Sequence, residues 1–144
     1  VNDYQINFLG AVKTIKHFFR SMKKQDNSSI VLFSKVAVSQ GMPFHASISS
    51  AKGAIEALTR SLAAEFAPKI RVNCIAPTLT NTTLAASILR NEDAIERSNN
   101  RHPSKKINSV EDVSSMVNFL ISDNAKNITG QIFHIDGGLS TLKI

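Results

Sequence analysis

Two short apolar runs limit what this chain can fold into. Ser29-Ile-Val-Leu-Phe-Ser34 and Ile70-Arg-Val-Asn-Cys-Ile-Ala76 are rich in β-branched residues and too short to be helices with a buried stripe. Continuous apolar runs of this length are how strands buried on both faces read. Between them, Ala51, Ile55, Leu58, Leu62 and Phe66 recur at steps of three or four residues. That spacing predicts an amphipathic helix over 46–66, and Pro68 closes it. A strand, a crossover helix and a second strand imply parallel pairing.

The flanking sequence continues the alternation. Ile6, Leu9, Val12, Ile15 and Phe19 predict a helix over 3–24. Ser109-Val-Glu-Asp112 resembles a capping box with Asp in the Glu place, opening a helix that carries Val113, Met116, Val117 and Leu120. Thr129-Gly130 turns the chain into a last strand, Gln131 to Ile135, followed by Asp136-Gly-Gly138. Residues 78–108 are polar, with helical patches near 82–90 and 92–99. They predict an excursion outside the sheet, lid-like over a site. The order α-β-α-β-lid-α-β gives an α/β fold: one domain over 1–144, part of a doubly wound parallel sheet. Three strands leave an exposed apolar edge, so further βα units are expected upstream or from a partner.

Composition narrows the functional classes. Hydrophobic residues make up 42% of 144, too many for a disordered chain. No stretch approaches the roughly 18 apolar residues of a membrane span, so no membrane partner is expected. The start is polar and has no signal-like cleavage site, and it lacks Met, which reads as a boundary in a longer protein. The formal net charge of +6 is spread along the chain, with Lys23-Lys24 and Lys105-Lys106 as its doublets. Without a basic run interleaved with aromatics, no nucleic-acid partner is expected. Attraction to an anionic cofactor or acyl carrier would use the same balance. Cys74 is the single cysteine and sits in an apolar run, which predicts a buried core residue and a reducing, cytoplasmic setting.

In parallel sheets ligands bind beyond the carboxyl ends of the strands. Those ends are Ser34-Lys35, Ala76-Pro77-Thr78 and Ile135-Asp136. None of the six glycines makes a phosphate-cradling turn between strand and helix. The four histidines show no ligand spacing, so no metal site is expected. No G-x-S-x-G elbow is present.

At these strand ends the sequence becomes recognisable. Asn7-Phe-Leu-Gly10, Ile30-Val-Leu-Phe-Ser34, Ser50-Ala-Lys-Gly-Ala54, Arg71-Val-Asn-Cys-Ile-Ala-Pro77, Thr129-Gly-Gln131 and His134-Ile-Asp-Gly-Gly138 follow in one order. The chain resembles the short-chain dehydrogenase/reductase family over essentially its whole length, in the branch of carbonyl reductases and 3-oxoacyl-carrier-protein reductases. The resemblance implies a Rossmann-like fold lacking its N-terminal βα units, and hydride transfer between NAD or NADP and a small-molecule carbonyl or alcohol. Hold on the cofactor is expected to be weak without that half. The resemblance also implies a homo-oligomer paired through the helices near 3–24 and 46–66.

The family's chemistry uses a tyrosine acid/base, a lysine one helical turn later, a serine at the preceding strand end and an asparagine on the earlier helix. Asn7 and Lys52 match the asparagine and the lysine. Ile48 stands in the tyrosine place and Lys35 in the serine place. Pro77, Thr80 and Thr82 match the segment along the nicotinamide, with Thr78 where the family usually has glycine. Ser34 is expected to face away from Lys35, because successive strand side chains alternate. Ser47 and Ser49 flank Ile48 but are rotated from it by about 100°. The family's enoyl-reductase branch places its tyrosine where His45 stands, and histidine serves as an acid near neutral pH; an exposed loop histidine is the competing reading. Asn7 bonding backbone near the adjoining strands is another. The expectations are an oxidoreductase by resemblance, impaired or inactive in this chain, or a non-catalytic relative kept as a binding or dimerisation module. A degenerate gene fragment is the third.

Overall fold

The computed structural model describes residues 2–143, so both end residues of the expected domain lie outside it. Helical backbone begins with α1 (Asn2–Tyr4), passes through a π-helical turn at Gln5–Leu9, and continues as α2 (Gly10–Met22). The Gly10 N–H bonds the Gln5 carbonyl, five residues back. Side-chain periodicity predicts the helix but does not reveal this widened turn. Such single π turns are frequent at functional sites, and Asn7 lies within it.

The other elements are β1 (Ser28–Phe33), α3 (Ala46–Phe66), β2 (Ile70–Pro77), α4 (Glu92–Asn100), α5 (Val110–Ile121) and β3 (Ile132–Ile135). The sheet order is β1-β2-β3, with both pairs parallel. Ser28 to Phe33 pair with Ile70 to Ile75, and Cys74 to Pro77 pair with Ile132 to Ile135. β2 is central and buried from Ile70 to Ala76. β1 departs from the expectation of two buried faces: most of it is half-buried, and Phe33 is 43% exposed. Among the described residues β1 has a strand on one side only.

Alternation along β2 separates two cores. Ile70, Val72 and Cys74 pack with Leu32, Ile55 and Ala63 beneath α2 and α3. Ile75 packs with Leu120 and Ala125 beneath α5. Helices therefore cover both faces of the sheet. Cys74 is fully buried, and burial, with Glu56 nearby, pushes its thiol up to about 11.

The helix expected over 46–66 has those bounds, but its buried ridge differs. Ala51, Ile55, Thr59 and Ala63 face the sheet. Leu58, Leu62 and Phe66 turn toward α2, where with Val12, Ile15 and Phe19 they line an open groove. Steps of four follow one packing ridge, and the smaller residues on it allow close approach to the sheet.

The excursion after β2 is also only partly helical. The patch near 82–90 is a 3₁₀ turn at Thr83–Ala85 followed by irregular turns. Leu84 and Ile88 stay 92% and 56% exposed. With only small Ala85 fully buried, a short helix there has little to stabilise it. The second patch is α4, whose first turn is capped by Asn91 accepting from the Ala94 N–H. The segment leaves and returns through one neck. Thr80 bridges Asn108, Asn81 N–H donates to the Asn108 carbonyl at 2.9 Å, and Asn108 N–H donates to the Leu79 carbonyl at 3.0 Å. Ser109 and Asp112 form the expected capping box of α5.

Candidate functional site

The carboxyl ends of β1 and β2, the loop before α3 and the excursion enclose a cleft of about 350 Å³. Lys35, Pro77, Thr80 and Thr82 line it. So do His45, Thr78, Arg101 and His102.

Strand alternation sorts Ser34 from Lys35. Ser34 is buried, and its hydroxyl donates to Glu56 Oε1 on α3 at 2.6 Å. Lys35, one residue on, turns into the cleft. Ser34 therefore does not supply a hydroxyl at the position Lys35 holds. Burial lowers the Lys35 pKa, and the negative charge of Asp3 opposes this.

Lys52 lies on the first half of α3, and its ammonium donates to the Phe33 carbonyl at 2.9 Å. Burial lowers its pKa; Cys74 opposes this, and the like charge of Lys35 adds to it. Ile48, one helical turn before Lys52, is half-buried and has no proton to transfer. The Ser49 hydroxyl is committed to the Ala37 carbonyl at 3.2 Å, and Ser47 is exposed.

Asn7 donates to the Asp3 carbonyl at 2.9 Å. The partner is its own helix, not the adjoining strands, because the π turn leaves carbonyls of that helix within reach. Tyr4 packs its ring against Phe8, with centroids 4.8 Å apart. His45 is half-buried in the cleft wall rather than exposed in a loop. Its Nδ1 lies 2.8 Å from the Pro43 carbonyl. That carbonyl only accepts, so Nδ1 carries the proton and Nε2 is the acceptor of the neutral ring.

The sequence reading missed one pair. His102 is 3% exposed, its Nε2 is 2.9 Å from the Thr78 hydroxyl, and its Nδ1 is 2.8 Å from the Ser98 carbonyl. Only Thr78 in the glycine place hints at it, since a side chain there needs a partner. Two further residues of the Arg71-Val-Asn73 motif prove structural. Buried Arg71 donates to the carbonyls of Leu120, Ser122 and Ala125 beyond and at the end of α5. Asn73 donates to the Ile128 carbonyl and accepts from the Gln131 N–H.

These residues fit one end of a nicotinamide nucleotide. The Lys52 ammonium has three donors and spends one on Phe33, leaving others for ribose hydroxyls. Pro77 and exposed Thr82 stand in the cleft wall. Thr80 is partly committed, donating to the Thr78 carbonyl at 3.1 Å. No described glycines form a phosphate cradle: Gly10 and Gly53 lie in helices, Gly41 stands alone before α3, and the other three flank β3.

A family model described as enoyl-(acyl carrier protein) reductase matches residues 2–140. The chain is 33% identical over 142 residues to 2-(S)-hydroxypropyl-CoM dehydrogenase 3 of Xanthobacter autotrophicus, covering 95% of this chain and 56% of that protein. It is 33% identical over 137 residues to carbonyl reductase [NADPH] 2 of Sus scrofa, covering 94% and 56%. A short-chain type dehydrogenase/reductase from Mycobacterium ulcerans superposes with a TM-score of 0.88 at 31% identity, covering 95% of this chain and 50% of that one. The chain thus spans about half the length of these relatives.

Proposed function

Because the chain belongs to the short-chain dehydrogenase/reductase family, we propose that it carries the nicotinamide-side part of an NAD(P)-dependent oxidoreductase and is impaired or inactive in hydride transfer. One observation carries this reading. Lys52 has Ile48 one helical turn before it, and its ammonium is bonded to the Phe33 carbonyl. A tyrosine at Ile48 would be the proton donor to a substrate oxygen, with Lys52 holding its pKa down. Losing a general acid typically removes about 10²–10⁴-fold in rate. Lys35, as a cation beside another cation, is a poor replacement for the serine hydroxyl.

The cofactor of this reading is NAD or NADP, in keeping with the NADPH in the name of one relative. The substrate is a small carbonyl or alcohol. Lys52, Pro77, Thr80 and Thr82 hold the nicotinamide end, and Asn7 supports the proton path. Residues 78–108 act as the lid, hinged at the Leu79–Asn108 neck. The setting is cytoplasmic, and no helix among the described residues is long and apolar enough to cross a membrane.

A second reading is a non-catalytic dimerisation module. The open groove of Val12, Ile15, Phe19, Leu58, Leu62 and Phe66 favours it, because an uncovered apolar face between two long helices suits a second copy. Titration with NADH and NADPH, followed by nicotinamide fluorescence, tests both. The first reading expects weak binding, with NAD(P)H carbonyl reduction low or absent. Saturable micromolar binding together with ordinary turnover would sink the claim of impairment. A dimer with no nucleotide binding favours the second.

A further inference from the structure

We propose that the cleft at the ends of β1 and β2 binds a monocarboxylate with an aliphatic body, its carboxylate held by Lys35. Charge and polarity in the lining point this way. Lys35 and Arg101 both line the cleft, and no Asp or Glu does. The chain's ion pairs are Arg60–Glu56, Lys69–Asp26 and Lys106–Asp112, and neither cleft cation takes part in them among the described residues.

Lys35 is half-buried just beyond the end of β1. Partly desolvated cations are unfavourable unless a counter-charge accompanies them. Its lowered pKa agrees with that desolvation, which the negative charge of Asp3 offsets only in part. An incoming carboxylate supplies the missing charge where water is partly excluded and Coulomb attraction is stronger than in bulk solvent.

The rest of the wall sets the body of the ligand. Met42, Leu79, Leu84, Ile88 and Leu139 line the same cleft. Leu84 and Ile88 are exposed by 92% and 56%. Large aliphatic side chains uncovered along one cleft mark a surface that binds apolar matter. Of the two cleft cations Lys35 is half-buried and Arg101 exposed, so the carboxylate goes to Lys35 and the aliphatic side chains take the alkyl chain. The inference shares its cleft with the reading above but needs neither nucleotide nor hydride transfer, so the two fail separately.

The experiment uses the full chain without nucleotide. Octanoate and its neutral isostere octanamide are titrated by calorimetry at low ionic strength. Octanoate is expected to saturate and to bind roughly tenfold tighter than octanamide or better. Lys35→Met is expected to abolish that preference while keeping its fold by circular dichroism, because removing a desolvated cation does not open the core. Lys35→Gln serves the same purpose if the Met variant fails to fold. Leu84→Ala is expected to weaken octanoate and octanamide alike. Equal binding of acid and amide, no saturation by octanoate at millimolar concentration, or a charge-neutral variant that keeps the preference overturns the proposal.

Discussion

The Thr78 hydroxyl lies 2.9 Å from Nε2 of His102, tying the end of β2 to the turn that follows α4. The Ser98 carbonyl, 2.8 Å from Nδ1, can only accept, so Nδ1 carries a proton. In the neutral ring Nε2 is then an acceptor, and Thr78 donates to it. His102→Ala leaves the Ser98 carbonyl and Thr78 hydroxyl without this partner in a buried place. It is expected to lower stability by about 2 kcal/mol, and Thr78→Val by about 1. Urea denaturation measures both, and limited proteolysis should show faster cutting within 79–108 for the histidine variant.

Arg71 is a buried cation that forms no ion pair among the described residues and donates to carbonyls at 2.6 Å (Leu120), 3.0 Å (Ala125) and 3.3 Å (Ser122). Those carbonyls end α5 and the turn after it, where the helix dipole favours positive charge. Arg71→Leu removes these three bonds and a fourth, from Nε to Asn27 Oδ1 at 3.3 Å, and is expected to cost about 3 kcal/mol. Arg71→Lys should recover less than half of that, since one ammonium does not reproduce the planar fork. Thermal unfolding of the two variants side by side checks the ranking.

Acid stability should depend on Asp136. Burial pushes its carboxyl up, but hydrogen bonds from the Ser140 hydroxyl, the Ser140 N–H and the Gly138 N–H together hold it below the ordinary value. A carboxyl with a lower pKa folded than unfolded contributes stability above its unfolded value, near 4. That contribution is lost as pH falls through the folded value. Asp136→Asn is expected to be less stable at neutral pH and to flatten the acid limb of the stability curve. An unchanged slope between neutral pH and pH 3, measured by urea midpoints, would count against this.

Restoring the two substituted positions asks whether they alone silence the site. Ile48→Tyr with Lys35→Ser should raise NAD(P)H-dependent carbonyl reduction by about 10²–10⁴-fold wherever nucleotide binds. Adding Lys52→Met to that background should remove most of the gain. A flat response in the presence of demonstrated nucleotide binding places the defect elsewhere in the fold.

Much of the scaffold was readable because its signals are local. The 46–66 helix has a periodic stripe and a closing proline, the α5 start has Ser109 three residues before Asp112, and β2 is an apolar run ending at Pro77. The opposite aims of Ser34 and Lys35 follow from extended backbone that continues just past β1. Periodicity does not say how deeply each face is covered. Leu58, Leu62 and Phe66 continue the α3 stripe yet border an open groove, and the 82–90 patch buries Ala85 but leaves Leu84 and Ile88 exposed.

By itself the sequence determined the order of elements, the parallel sheet and the identity of the groups at the strand ends, including Lys35 and Ile48 where Ser and Tyr would stand. The tertiary structure decided their neighbours. It set the Lys52 ammonium on the Phe33 carbonyl, joined Thr78 to His102 across 24 residues and placed Lys35, Arg101, Leu84 and Ile88 along one cleft. The reason is physical. Backbone propensity and side-chain period act within a turn or two of chain, whereas desolvation, hydrogen-bond pairing and charge depend on what the folded path brings alongside.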